Sequence, residues 1–134
     1  MSNKYNHKNR RKCSLKAHIV LVTKYRKPLL QDCIANSVKQ KTLSIANRKG
    51  YKIITMETDR DHIHLLLEYD TIDRICDIVK SIKQETTHFL WQKHNSILSK
   101  FYWKNKTFWS DGYFVCSIGE ISLSTIRKYI DNQG

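Results

Sequence analysis

The sequence predicts an α+β sandwich of order βαββαβ with one further helix at the C-terminal side. Three observations predict it. Four short stretches have strand character, two long stretches carry apolar residues at a 3.6-residue period, and 134 residues leave room for one hydrophobic core. The expected organisation is one domain over residues 1–134, with a basic, flexible arm over 1–13.

Each element has its own signal. Residues 15–25 (LKAHIVLVTKY) are β-branched and apolar, a first strand. Pro28 opens a helix over about 29–48, and Gly50 ends it in the C-terminal capping role. Tyr51 to Thr58 is a second strand, and the turn Asp59-Arg60-Asp61 leads into a third, His62 to Tyr69. Asp70 or Thr71 can cap the next helix, whose positions Ile72, Ile75, Val79, Ile82, Thr86 and Phe89 share one face. Residues 94–110 carry no clear period. Gly112 to Ile118 is a fourth strand, and Ser122 or Ser124 starts a final helix reaching Asn132. Four strands with two helices on one face make the ferredoxin-like, or RNA-recognition-like, sandwich. That fold hosts many unrelated functions, so function must be argued from the site.

Charge narrows the field. Lys and Arg total 24 against 12 Asp and Glu, a net of +12. No acid precedes Asp32, and residues 1–31 hold nine of the basic side chains. A strongly basic head is an electrostatic footprint for a polyanion, and equally an ordinary solubilising terminus. Apolar runs such as Ile19-Val20-Leu21-Val22 are too short for a membrane span, and no secretory leader is recognisable. Four cysteines without a C-x-x-C pair (Cys13, Cys33, Cys76, Cys116) suit reduced thiols. A cytoplasmic protein is expected.

The chemistry concentrates on the third strand. In Asp61-His62-Ile63-His64-Leu65, side chains two apart share a face about 7 Å apart, so His62 and His64 point the same way. Two imidazoles over one point can share a divalent cation, or they can simply be hydrogen-bonded on a polar face. A histidine-triad nucleotide hydrolase needs a third histidine two residues on, where Leu66 stands. Glu68 lies too far along the strand to converge, so a third ligand must come from another element. On the final helix Tyr129 and Gln133 are four apart and share a face, with a Gln carbonyl available as an oxygen ligand. The alternative is that Tyr129 packs beside the apolar stripe Leu123, Ile126 and Ile130.

A His-hydrophobe-His strand followed far downstream by Tyr-x-x-x-Gln on a last helix resembles the HUH superfamily. More narrowly, it resembles the single-tyrosine, TnpA-type transposases of small bacterial and archaeal insertion sequences. AHIVLVTKYRKPLL is similar to the family's first strand and turn, and TDRDHIHLLLE to its metal strand. FWSDGYFVCSIG is similar to its fourth strand, and KYIDNQ to its nucleophile helix.

The resemblance implies His62, His64 and Gln133 as metal ligands and Tyr129 as the nucleophile. It implies Mg²⁺ or Mn²⁺, although two imidazoles by ligand softness also suit zinc or iron. The implied substrate is single-stranded DNA with hairpin-bearing element ends, cut through a 5′-phosphotyrosine intermediate. The implied assembly is a homodimer whose last helix carries Tyr129 to the partner's histidine pair. Two alternatives stay open: a host-adapted HUH nickase acting on repeat hairpins, and a non-catalytic single-stranded nucleic-acid-binding module.

The residues themselves offer DNA contacts. Lys24, Arg26 and Lys27 lie in the turn after the first strand, and Arg10, Arg11 and Lys12 in the basic arm. Seven aromatics between Phe101 and Phe114, interleaved with Lys104 and Lys106, can stack unpaired bases or form a core edge.

Overall fold

The computed structural model describes residues 15–117 and 123–133. At its centre is β1 (Leu15–Val22), paired on one side with β3 (His62–Tyr69) and on the other with β4 (Phe114–Ser117). With β2 (Lys52–Asp59) outside β3, the antiparallel sheet runs β2-β3-β1-β4. A bulge at Ile54 shifts the β2–β3 register, while the β1–β3 ladder runs unbroken from Leu15↔Tyr69 to Val22↔His62. The predicted ferredoxin-like sandwich is therefore the observed fold.

Alternation along the strands builds two faces. Ile19, Leu21, Ile63, Leu65 and Leu67 are buried against α1 (Asp32–Lys49) and α2 (Ile75–Lys93), whose Ile34, Val38, Ile78, Val79, Ile82 and Leu90 complete the core. Each such side chain contributes roughly 1.5–3 kcal/mol on burial. The opposite face carries a smaller cluster of Val20, Val22 and Ile130, with Phe114 and Tyr129 packed on it. Ile130 belongs to α4 (Leu123–Gln133), which thus crosses β1 on the face away from α1 and α2.

Three boundaries differ from expectation, each for a reason the structure shows. β1 stops at Val22, because Thr23–Lys27 turns away with Tyr25 (φ 59°) and Arg26 (φ 52°) both left-handed. Such residues cost on the order of 1–3 kcal/mol each and need a surrounding that fixes them. Here buried Thr23 supplies it, its Oγ1 donating to Lys27 O at 2.8 Å, while Lys24 N donates to Phe108 O at 2.8 Å.

α1 begins at Asp32 rather than after Pro28. Leu29 and Leu30 are buried, Leu30 N donates to Arg60 O, and Gln31 is extended, so Pro28–Gln31 serves as a connector. Its C-terminal end is as predicted, with Gly50 left-handed (φ 86°) and its N–H on Ala46 O. α2 starts at Ile75, not at Asp70 or Thr71, because Asp73 closes a turn by accepting from Asp70 N; Ile72 is 84% exposed and off the buried stripe.

The unpatterned stretch 94–110 holds only the short α3 (Asn95–Leu98) but buries Leu98, Tyr102, Phe108 and Trp109. Two indoles pin it: Trp91 Nε1 donates to Thr107 O and Trp109 Nε1 to Thr86 Oγ1, each at 2.9 Å. Among the described residues no helix is long and apolar enough to cross a membrane.

Candidate active site

On β3 the predicted division holds: Ile63, Leu65 and Leu67 are buried in the core, and His62 and His64 stand half-buried on the other face. The β1 residues on that same face are His18, Val20 and Val22, set beside Leu66, His64 and His62 by the ladder. The face thus carries three imidazoles, of which the third was not singled out from the sequence.

A chain of charged contacts holds His62. Its Nδ1 is 3.0 Å from Asp61 Oδ1, Asp61 Oδ2 accepts from Arg26 Nε at 3.0 Å, and Arg26 Nη1 reaches Asp131 Oδ1 of α4 at 3.4 Å. Burial pulls the Asp61 carboxyl up, but the hydrogen bonds from His62 and Arg26 outweigh it and leave it below the usual range. An ionised carboxylate only accepts, so His62 donates to it from Nδ1, which sets the orientation of the ring. His64 Nε2 lies 2.8 Å from His18 Nδ1, with the two rings stacked at 5.0 Å. Burial, and then the neighbouring His18, push the His64 pKa down. A neutral imidazole is the form that binds a metal.

On α4, Tyr129 and Gln133 do share a face one turn apart. The Tyr129 ring tilts on Phe114 at 5.4 Å, and Gln133 Oε1 accepts from Ser110 Oγ at 3.0 Å. Both side chains lie over Gly112, where a Cβ would stand 3.4 Å from Tyr129 Oη and 3.7 Å from Gln133 Oε1. Lys83 Nζ of α2 fixes that loop by donating to Asp111 O at 3.0 Å and Gly112 O at 3.2 Å. The Tyr129 hydroxyl is buried with no hydrogen-bond partner among the described residues. Burial pushes it up to about 12.

The structure therefore forms two half-sites on one sheet face. Tyr129 and Gln133 lie against Phe114, Gly112 and Ser110, with Tyr129 also on the cluster of Val20, Val22 and Ile130, and His62 and His64 stand on β3, the neighbour of β1. Among the described residues no hydrogen bond or ring contact joins the two groups, and no three His, Cys, Asp or Glu side chains surround one point.

Of the candidate DNA contacts, Lys24 lies 3.6 Å from Asp111 and 5.5 Å over the Tyr25 ring, and Lys27 is half-buried. Arg26 sits between Asp61 and Asp131 and ties the turn to α4. Arg10, Arg11 and Lys12 lie outside the described residues. His18, Asp61, Ser110 and Gly112 were missed as site residues. A polar His18 interrupting an apolar strand was the one available signal, since its partner depends on register.

The comparisons agree with this architecture. The family described as "Transposase IS200 like" matches residues 11–133. The ISDra2 transposase TnpA of Deinococcus radiodurans is 30% identical over 119 residues, spanning 89% of this chain and 84% of that one. The transposase for insertion sequence element IS200 of Salmonella typhimurium is 28% identical over 118 residues, covering 88% and 76%. Among solved structures, a candidate transposase from Deinococcus radiodurans superposes with TM-score 0.82 at 29% identity over 90% of this chain and 91% of that one. A REP-associated tyrosine transposase bound to a REP hairpin shares the fold at TM-score 0.57 and 13% identity, covering 89% and 64%. With residues 11–133 matched, this protein belongs to the IS200-like transposase family.

Proposed function

We propose that the protein nicks and rejoins single-stranded DNA at hairpin-bearing ends, with Tyr129 as nucleophile and a divalent cation held by His62, His64 and Gln133. The observation that carries the reading is the Tyr129 hydroxyl, buried and unpartnered beside the bare Gly112 and one turn from a Gln amide. Buried polar groups are normally satisfied, and a hydroxyl with no partner among the described residues suits one whose partner is a substrate phosphate.

The donor set fits a cation. Two neutral imidazoles and an amide oxygen suit Mn²⁺ or Zn²⁺ and permit Mg²⁺ with waters. When bound, such a cation would polarise the scissile phosphate and stabilise its developing charge. The chain's own residues supply the rest. Asp61 orients His62 through the contact at Nδ1, and Gly112 lies directly against Tyr129 Oη. With a pKa of about 12, Tyr129 is phenolate only to about one part in 10⁴ near pH 8, so its proton must leave during attack.

Attack of Tyr129 Oη on phosphorus forms the phosphotyrosine and breaks the bond to the 3′ oxygen, which leaves as a hydroxyl after taking up a proton. The 5′ phosphate stays on the enzyme. A second 3′ hydroxyl reverses the step on the new junction, and since one ester replaces another, no ATP is needed.

Within one chain no hydrogen bond or ring contact among the described residues joins Tyr129 and Gln133 to His62 and His64. A homodimer in which α4 brings Tyr129 and Gln133 to the partner's histidine strand would join them, and β2 and β4 stand at the edges of the sheet, where strands of two copies can pair. The test is incubation with a single-stranded element end in Mn²⁺. A label at the 3′ end should appear on a protein–DNA adduct, and a 5′ label should leave on the released fragment. The reverse labelling, or no adduct, would overturn the reading.

A further inference from the structure

A second site lies on the outer side of the Thr23–Lys27 turn. A pocket of about 380 Å³ is lined by Lys24, Tyr25, Tyr102, Trp103, Lys104 and Asn105, with Phe101 and Thr107 at its margin. We infer that this pocket stacks one unpaired nucleobase of the bound DNA strand, between the rings of Tyr25 and Trp103. The inference deepens the proposed function and rests on it.

Several independent features point the same way. Trp103 is 73% exposed and Tyr25 is 65% exposed, large rings that the fold leaves out of its core although Tyr102 between them is buried. Each exposed ring carries its own cation, Lys24 Nζ 5.5 Å from the Tyr25 centroid and Lys104 Nζ 5.2 Å from the Trp103 centroid. Among the described residues no acidic side chain lines the pocket. Aromatic faces for bases with cations beside them for phosphates are the elements of sequence-tolerant single-strand binding.

The backbone presents Tyr25 deliberately. Tyr25 and Arg26 are both left-handed, and the Tyr102 hydroxyl fixes this turn by donating to Lys24 O at 2.8 Å. The Tyr25 and Tyr102 rings stand 6.5 Å apart, so Tyr102 forms the pocket's inner wall. The same turn sends Arg26 the other way, onto Asp61 and so to His62. Neighbouring Cα atoms are about 3.8 Å apart. A base held at Tyr25 therefore keeps its strand next to the histidine face, which is where the proposed chemistry needs it.

The experiment measures the affinity of the full chain for a single-stranded hairpin-bearing oligonucleotide in which each unpaired position is made abasic in turn. For the wild type, one abasic position should weaken binding about tenfold or more, the range for one stacked base. Trp103→Leu should weaken binding to the intact strand by a similar factor and be indifferent to that abasic position, the two losses failing to add. Trp103→Phe should restore most of the affinity. If the losses add, or no abasic position depends on Trp103, the pocket does not hold a base. A monomer–dimer equilibrium shifted by Trp103→Leu without DNA would also overturn the proposal, assigning the ring to a protein interface. A wild-type adduct on the same oligonucleotide, scored separately, tells failure of the pocket from failure of the cleavage reading.

Discussion

His18 Nδ1 and His64 Nε2 lie 2.8 Å apart across the β1–β3 ladder, although 46 positions separate them in the chain. One ring donates an N–H to the lone pair of the other at this contact, so His18 holds the plane of the His64 imidazole. Partners of this kind typically govern metal affinity by 10- to 100-fold. His18→Ala should accordingly weaken Mn²⁺ or Zn²⁺ binding by about tenfold or more by calorimetry, with His18→Gln losing less. Unchanged affinity in His18→Ala would leave His18 a packing residue.

Tyr129→Phe makes a stability prediction apart from chemistry. The hydroxyl is buried and has no described partner, so its removal loses no hydrogen bond and relieves a desolvated polar group. The melting temperature should stay level or rise. A drop of several degrees would mean that the hydroxyl is bonded in solution.

Legibility in the sequence followed the range of the interactions. The bounds of β3 and the role of Gly50 rest on alternation and on one backbone conformation, both local, and the observed His62–Tyr69 and φ of 86° agree with expectation. The start of α1 was not local, since Leu29 and Leu30 are drawn into the core and Leu30 N onto Arg60 O. The same holds at the site. His62, His64, Tyr129 and Gln133 are visible as spacings of two and four, whereas His18 on His64, Arg26 on Asp61 and Gly112 under Tyr129 arise only from tertiary register.

Asp61 gives a pH prediction. Its carboxyl is held below the usual range by His62 and Arg26 against the pull of burial. The folded state thus binds the proton less readily than the unfolded state, and stability falls as pH drops below about 4, the unfolded value. Asp61→Asn should lower stability at pH 7 and flatten its decline below pH 4, measured by urea unfolding. Parallel curves for the two proteins would show that the Arg26–Asp61–His62 chain is not made.

Composite sites predict complementation. A His64→Ala chain mixed with a Tyr129→Phe chain should recover cleavage when subunits exchange, because one of the two trans sites then holds intact His62, His64 and Tyr129. Two cis sites would recover nothing. Inactivity in verified heterodimers would place the complete site within one chain.

The most direct measurement is mass mapping of the protein–DNA adduct formed on a 3′-labelled single strand in Mn²⁺. A 5′-phosphonucleotide on the peptide containing Tyr129, absent from Tyr129→Phe and from His62→Ala, is the predicted result. An adduct carried by Tyr113 or any other side chain, or one that persists in Tyr129→Phe, would contradict it.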